Sequence, residues 1–184
     1  WPEAYPEGTT VFAYRQEETE IAWRFEASHS VAPSGIAISD GRVYIVDRTG
    51  KAQIERSKRK GKPLDVENRL VALDLASGEL LWQHGIPKGL SHVWATDNKV
   101  LTGDLRHIHT YNGATGDAIW NRKTHAAFPV IIGDQVVAFP MAYALQTGEP
   151  VMVDHALTGN LVPWEMAFKG GCGSFSGSPG ILCF

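Results

Sequence analysis

Apolar and polar residues alternate along several short stretches of this chain, and small turn-forming residues separate the stretches. The clearest example is residues 70–82, where an alternating run, a Ser77-Gly78 turn, a second short apolar run and Trp82 follow one another. A period of two places successive side chains on opposite faces of an extended strand. The pattern therefore predicts a β-hairpin with an aromatic side chain at its far end.

The same thirteen-residue pattern, called the repeat below, occurs in three further places. Self-similarity of this kind indicates a repeat architecture and decides how the whole fold is interpreted. Residues 108–120 match the pattern without a gap, with Gly116 at the turn and Trp120 at the end. Two copies each lack one feature: residues 140–152 keep Gly148 but end in Met152, and residues 11–23 end in Trp23 but have Glu18-Thr19 at the turn.

A shorter predicted hairpin precedes each of the last three copies. In residues 36–46 the turn is Asp40-Gly41, a strong hairpin signal because both central residues of a type I′ turn need a positive φ. Residues 93–101 and 129–138 have the same alternation and precede the next two copies. Each unit of the chain is thus predicted to contain four antiparallel strands.

Four-stranded units in tandem predict an all-β chain, a β-propeller segment of about four blades in a single domain. The first copy of the repeat gives an outer half blade, and residues 170–184 give an inner half blade at the other terminus. A blade cannot bury its faces without neighbours. A piece of a larger ring, half of a dimeric ring and a closed four-bladed ring all satisfy this need. The predicted blades are residues 11–25, 31–84, 91–122, 126–153 and 170–184.

Residues 51–68 are predicted to be an insertion into an otherwise compact blade. Residues 51–63 contain six Lys or Arg against one Glu. We expect a solvated, mobile loop, with contact to phosphate, an acidic polysaccharide or an acidic protein face as the alternative. No aromatic residue interrupts the basic run, so it offers no platform for base stacking. Because no long apolar stripe of period 3.6 occurs in the chain, almost no helix is expected.

Charge and composition limit the classes of partner that we expect for this chain. A net charge of -3 gives no overall attraction to nucleic acid. No run of eighteen apolar residues is present to span a membrane, and no signal peptide is recognised at the start of this sequence.

Two cysteines, Cys172 and Cys183, are predicted to be small buried residues, and a disulfide across one hairpin is the alternative.

Two histidines are the weak candidates for metal binding. His107 and His109 flank Ile108, so on a strand both imidazoles lie on one face. Two ligands do not make a closed metal site. We therefore expect surface or blade-edge histidines and no bound metal. No catalytic residue is predicted, because the serines near Gly173 lack the Gly-x-Ser-x-Gly pattern of a nucleophile elbow.

The repeat resembles the tryptophan-docking repeat of quinoprotein-like, or PQQ-like, β-propellers. The resemblance rests on Ala72-Leu73-Asp74 with Ser77-Gly78 and Trp82, and on Tyr111 with Thr115-Gly116 and Trp120. It covers residues 11–184 and is closest to large multi-domain bacterial proteins with PQQ-like repeats. The family includes pyrroloquinoline-quinone dehydrogenases and an outer-membrane barrel assembly lipoprotein.

This resemblance implies structural roles for the residues of the repeat. In the family, the tryptophan docks between adjacent blades and the turn glycine adopts a conformation that other residues resist. The docking residues implied here are Trp23, Gly78, Trp82, Gly116, Trp120 and Gly148, with Met152 as a substitute for tryptophan.

The resemblance also bears on cofactor and location. The family's enzymes hold quinone and calcium with an adjacent-cysteine disulfide and acidic or amide ligands, and this sequence has no Cys-Cys pair. Neither PQQ nor calcium is therefore expected. A periplasmic or extracellular location is implied by resemblance alone.

The sequence predicts a non-catalytic propeller module that acts as a binding scaffold, as part of a larger propeller. Its partner is expected to be a protein or the remaining blades, with a glycan, a small ligand or a homo-oligomer left open. The alternative is a fragment of a quinoprotein-type oxidoreductase, or of another enzyme, whose catalytic residues lie outside this chain.

Overall fold

The structure is a computed structural model that describes residues 7–62, 64–104, 106–124, 129–166, 176–178 and 181–183. Within these ranges the chain is all-β apart from one helix, as the alternating pattern predicts. The strands of the first half are β1 (Gly8–Arg15), β2 (Glu20–Ser39), β3 (Arg42–Arg48), β4 (Asn68–Asp74), β5 (Leu80–Gly85), β6 (His92–Thr96), β7 (Lys99–Gly103) and β8 (His107–Asn112). Those of the second half are β9 (Ala118–Lys123), β10 (Val130–Ile132), β11 (Gln135–Ala138), β12 (Met141–Ala144), β13 (Met152–Asp154), β14 (Leu161–Pro163), β15 (Ser176–Ser178) and β16 (Ile181–Cys183).

The described strands form several antiparallel sheets in which sequence neighbours are also spatial neighbours. Their orders are β1-β2-β3-β4-β5, β6-β7-β8-β9, β10-β11-β12, β13-β14 and β15-β16. The long strand β2 pairs with β1 through its first half and with β3 through its second half. Simple up-and-down order is the expected result when each strand is linked to the next by a short turn.

Contacts divide the chain into two compact units. The first contains Trp1–Thr102 and Tyr111–Asp117, and the second contains Gly103–Thr110 and Ala118–Phe184. The predicted blade boundaries and the closure of the ring stay predictions.

The inner strands of the first unit are buried on both faces. From β3 and β4, Val43, Ile45 and Leu73 pack in a cluster with Trp23. The alternate residues of the same strands pack in a second cluster that includes Tyr44 and residues of β6 and β7. The outer strand β5 is exposed except for the half-buried Trp82. A sheet with two covered faces and an exposed outer strand fits between neighbouring sheets.

Two turns have the geometry that their sequences predict. Asp40 and Gly41 both have positive φ, as a type I′ turn requires, and so do Asp97 and Asn98. The Asp40 carboxylate accepts a hydrogen bond from the Asn98 backbone N–H at 2.8 Å, which joins the two turns. This bond is the main reason that the pKa of Asp40 lies below its usual value.

The insertion at residues 51–68 differs from the expected mobile loop. Its first part is an α-helix, α1, from Lys51 to Arg59. Lys, Ala, Gln, Glu and Arg are good helix formers, and the first glycine or proline of the segment is Gly61. An ion pair between Glu55 and Lys58, at 3.1 Å, adds a small contribution on the exposed helix surface. The high helix propensity of these residues therefore accounts for α1, although the segment has no apolar stripe.

Asn68, at the start of β4, holds the loop that follows β5. Its buried side-chain nitrogen donates to the carbonyls of Pro87, at 3.3 Å, and Leu90, at 3.1 Å. We expect Asn68→Ala to lower the free energy of unfolding by about 1–3 kcal/mol, because the carbonyl of the buried Leu90 loses its donor. Urea unfolding measures the change. The exposed Asn121→Ala is the control, with a change within about 0.5 kcal/mol, and equal effects of the two variants would contradict the assignment.

Candidate functional site

The turns of three copies of the repeat share one hydrogen-bond pattern, and we call them the docking turns. In the turn Asp74–Glu79, the Asp74 N–H donates to the Glu79 carbonyl at 2.9 Å and the Gly78 N–H donates back to the Asp74 carbonyl at 2.9 Å. The Ser77 hydroxyl accepts from the Glu79 N–H at 3.2 Å. The equivalent bonds recur in residues 112–117 and 144–149. The spacing of the repeat therefore gives three turns of the same conformation.

Each docking turn receives the indole of the preceding copy of the repeat. The Trp23 indole N–H donates to the Leu75 carbonyl at 2.9 Å, and the Trp82 indole N–H donates to the Gly113 carbonyl at 3.0 Å. The Trp120 indole N–H donates to the Leu145 carbonyl at 2.9 Å. In every case the acceptor is the sixth residue of the next copy. The last residue of one copy of the repeat thus contacts the turn of the next copy.

The turn glycine lies directly against the docked ring. A Cβ placed on Gly148 would stand 2.5 Å from Cδ2 of Trp120, and one placed on Gly78 would stand 2.5 Å from Cγ of Trp23. Any larger residue would have to push the indole away. In the first copy of the repeat, whose turn receives no tryptophan from the described residues, Thr19 replaces the glycine with a φ of 52°.

The residue two positions after the tryptophan makes a second contact with the same docking turn. Arg122 donates from Nε to the Gly148 carbonyl at 2.7 Å, and the His84 ring nitrogen Nε2 lies 3.1 Å from the Thr115 carbonyl. Sequence reasoning missed both residues, because a polar side chain on an outer strand carries no local signal of its partner.

Met152 does not occupy the strand position that the repeat predicts for it, and Trp164 occupies that position instead. Met152 lies in β13 and is 44% exposed. Met141 of β12 forms a bridge with Glu165, so the next residue pair is Ala142 opposite Trp164. This is the register of Ala72 opposite Trp82 in the second copy. Trp164, which sequence reasoning did not select, thus has the strand position of a docking tryptophan.

His107 and His109 lie close together on β8, with ring centroids 6.3 Å apart. Nδ1 of His107 is 3.6 Å from a carboxylate oxygen of Asp104. Among the described residues, however, no group of three His, Cys, Asp or Glu side chains could hold a metal ion. Burial is the main cause that lowers the pKa of His109, and repulsion from His107 adds to it.

The lowered pKa of His109 predicts a dependence of stability on pH. The unfolded chain holds this proton more tightly, so the stabilisation is complete above about pH 6.5 and is lost as the pH falls. A single proton limits the slope to about 1.4 kcal/mol per pH unit. Urea unfolding at several pH values should show a shallower slope between acidic and neutral pH for His109→Gln than for the unaltered chain. Identical slopes would contradict this assignment.

A cavity of about 420 Å³ lies along the edge formed by β4 and β5. Two of its lining residues, Glu67 and Arg69, form an ion pair at 2.7 Å. The hydrogen bond from Arg69 lowers the pKa of Glu67. A third lining residue, His84, already contacts the second docking turn. The charged groups of the cavity are therefore largely engaged with each other or with the fold.

The adjacent-cysteine pair that the resemblance implies for quinone binding is not present in this sequence. The only cysteines in the sequence are Cys172 and Cys183, which are not adjacent. Cys172 and the side chain of Cys183 lie outside the part of the chain that the structure describes, so a disulfide between them stays a prediction. Across the described ranges, no helix is long and apolar enough to cross a membrane.

Comparisons with known proteins show only distant structural likeness. No protein-family model and no curated protein match the chain. It is similar to BamB from Moraxella catarrhalis, at 18% identity and a TM-score of 0.47, over 77% of this chain and 53% of that one. For the rhamnogalacturonan lyase YesW the values are 13% and 0.49, over 76% and 35%. For the quinohemoprotein alcohol dehydrogenase ADHIIG from Pseudomonas putida HK5 they are 14% and 0.44, over 86% and 28%. The chain thus spans about half or less of the length of the structures it resembles.

Proposed function

We propose that this chain is a segment of a tryptophan-docked β-propeller that serves as a non-catalytic binding scaffold within a larger propeller. The observation that carries the proposal is the set of indole hydrogen bonds from Trp23 to Leu75, Trp82 to Gly113 and Trp120 to Leu145. The bonds of Trp82 and Trp120 each fix one sheet to the docking turn of the next, and the bond of Trp23 fixes β2 to the docking turn between β4 and β5 of its own sheet. Because the same contact recurs between successive copies, further repeats can be added to the chain by the same contact.

The distribution of burial supports a scaffold. The inner strands β3 and β4 use both faces for packing, so their side chains are occupied by the fold. The outer strands β5 and β9 are mostly exposed and include Leu80, Leu81 and Ile119 among their exposed apolar residues. Outer strands and turns are thus the surfaces that a protein partner can reach.

A reconstitution experiment tests the non-catalytic role. The purified chain is titrated with pyrroloquinoline quinone and calcium chloride while quinone absorbance, tryptophan fluorescence and reduction of an electron-accepting dye by an alcohol are followed. We expect no saturable change and no dye reduction, with a quinoprotein dehydrogenase as the positive control. Saturable quinone binding together with calcium-dependent dye reduction would overturn the proposal and favour an oxidoreductase fragment.

The scaffold arrangement is tested by removing the indole hydrogen bonds together. The triple variant Trp23→Phe, Trp82→Phe and Trp120→Phe keeps an aromatic ring in each position but has no donor. We expect faster limited proteolysis and a broader thermal transition than in the unaltered chain, because the sheets are less firmly fixed to one another. Unchanged proteolysis and melting would show that the indole bonds do not hold the sheets.

A further inference from the structure

A fourth turn, His155–Asn160, has the hydrogen bonds of the docking turns. The His155 N–H donates to the Asn160 carbonyl at 2.8 Å, and the Gly159 N–H donates to the His155 carbonyl at 2.8 Å. The Thr158 hydroxyl accepts from the Asn160 N–H at 3.4 Å. Gly159 has a φ of 68°, close to the 67° of Gly148. The fourth turn therefore repeats the conformation on which three indoles dock.

No indole occupies this turn among the described residues. Where Gly78 and Gly148 have a ring against the position of a Cβ, Gly159 has no described atom within 4 Å of it. The side chain of Leu157 is 91% exposed and that of Leu161 is 63% exposed. Large apolar side chains that are exposed within a few residues of each other are found at interaction sites. The fourth turn thus has the form of a docking turn, and no side chain of the described residues lies against its glycine.

The hairpin that carries this turn is an insertion in an outer strand. Pro150 pairs with Tyr143, and after the hairpin Glu165 pairs with Met141, so the strand resumes beside the same partner. The Trp164 N–H donates to the Val151 carbonyl at 2.7 Å and closes the base of the hairpin. Between these points β13 and β14 pair with each other, and no residue of the hairpin is buried. Core packing therefore does not explain its exposed apolar side chains.

We propose that the fourth turn is a docking site for a tryptophan of a separate partner protein. The indole N–H donates to the Ala156 carbonyl, which holds the position of the acceptors Leu75, Gly113 and Leu145 in the repeat. An Arg or His of the partner, two positions after its tryptophan, contacts carbonyls of the fourth turn, as Arg122 and His84 contact carbonyls of their docking turns. The partner motif is therefore Trp-x-Arg or Trp-x-His in an extended segment.

The charge around the hairpin favours a cationic segment. Residues 149–166 contain Glu149, Asp154 and Glu165 and no Lys or Arg. The carboxylates of Asp154 and Glu165 attract a basic residue beside the partner tryptophan, which speeds association and selects against acidic segments. Among the tryptophans that the structure describes, none is exposed. The described indoles are thus packed within the chain, so the proposal takes a different protein as the occupant and treats a second copy as an outcome of the test.

The experiment uses the docking strand of this chain as the probe. Residues 118–123, Ala-Ile-Trp-Asn-Arg-Lys, are synthesised with blocked termini and titrated into the isotopically labelled intact chain, and backbone amide shifts are recorded by NMR. We expect saturable shifts in residues 155–160. Peptides with alanine in place of the tryptophan or of the arginine serve as matched probes. The tryptophan-free peptide should bind at least about tenfold more weakly, which corresponds to about 1.4 kcal/mol.

Variants of the chain locate the site. Gly159→Ala should weaken the probe by about tenfold, because its Cβ takes the place of the ring, and Leu157→Ser should weaken it without touching the backbone. Gly133→Ala, at another positive-φ glycine with no described atom within 4 Å of its Cβ position, is the control and should leave binding unchanged. Absence of binding at millimolar peptide, shifts confined to residues 144–149, insensitivity to both variants, or self-association through the hairpin would each overturn the proposal. The peptide titration and the quinone titration have independent outcomes. The docking proposal for the fourth turn can therefore fail while the proposed non-catalytic role stands, and the reverse.

Discussion

Trp120→Ala is expected to lower the free energy of unfolding by about 3–5 kcal/mol, the cost of deleting a large buried aromatic side chain. Trp120 is 8% exposed, and its indole donates to the Leu145 carbonyl at 2.9 Å. The deletion leaves a cavity beside Gly148 and removes the donor of a buried carbonyl, so both effects act in the same direction. Urea unfolding followed by far-UV circular dichroism measures the change without relying on the fluorescence of the missing residue.

Conservative variants separate the hydrogen bond from the packing. Trp120→Phe keeps an aromatic ring but loses the N–H and part of the ring volume, so about 1 kcal/mol of its effect is attributable to the missing bond and the remainder to volume. Trp94→Phe is the matched control, because Trp94 is half-buried against His92 and its indole nitrogen has no partner among the described residues. If Trp94→Phe were as destabilising as Trp120→Phe, the docking bond would not be the cause.

Gly78→Ala is expected to destabilise the chain by about 2–4 kcal/mol. Part of this cost is conformational, about 1 kcal/mol for a Cβ at a φ of 73°. The rest, about 1–3 kcal/mol, comes from overpacking, since the new methyl group would stand 2.5 Å from Cγ of Trp23. Thermal and urea unfolding give the total effect.

Gly41→Ala measures the conformational part by itself. Gly41 has a φ of 70°, nearly that of Gly78, but no described atom lies within 4 Å of the position of its Cβ. Subtracting its effect from that of Gly78→Ala leaves the energy of displacing the docked indole. Equal effects of the two substitutions would mean that the close approach of Trp23 contributes nothing to stability.

Local patterns in the sequence were sufficient for most strands and turns, but they did not predict the hairpin of β13 and β14. The alternation around Asp40-Gly41 predicts the hairpin of β2 and β3, because a type I′ turn depends on two adjacent residues only. The all-β class follows in the same way. The helix α1 was missed because it is formed by residue propensity on an exposed surface, where no apolar stripe marks it.

Contacts between distant parts of the chain could be anticipated only in part. The repeat singled out Trp23, Trp82 and Trp120, yet it could not give the acceptor of each indole, since a hydrogen bond over 25 to 52 residues leaves no local trace. The roles of Arg122 and His84 were hidden for the same reason. Trp164 was missed because an inserted hairpin moves it twelve residues beyond the end of the repeat, where Met152 stands.

The sequence by itself determined an all-β chain, the positions of most of its turns and the recurrence of one thirteen-residue unit. These features depend on the period of two and on turn residues, which act within a few positions. The tertiary structure alone decided which carbonyl of the next copy each indole meets, that Glu165 pairs with β12 after the inserted hairpin, and that no described atom lies within 4 Å of the Cβ position of Gly159. Such contacts depend on how sheets pack, and packing joins residues whose separation along the chain carries no information about their distance in space.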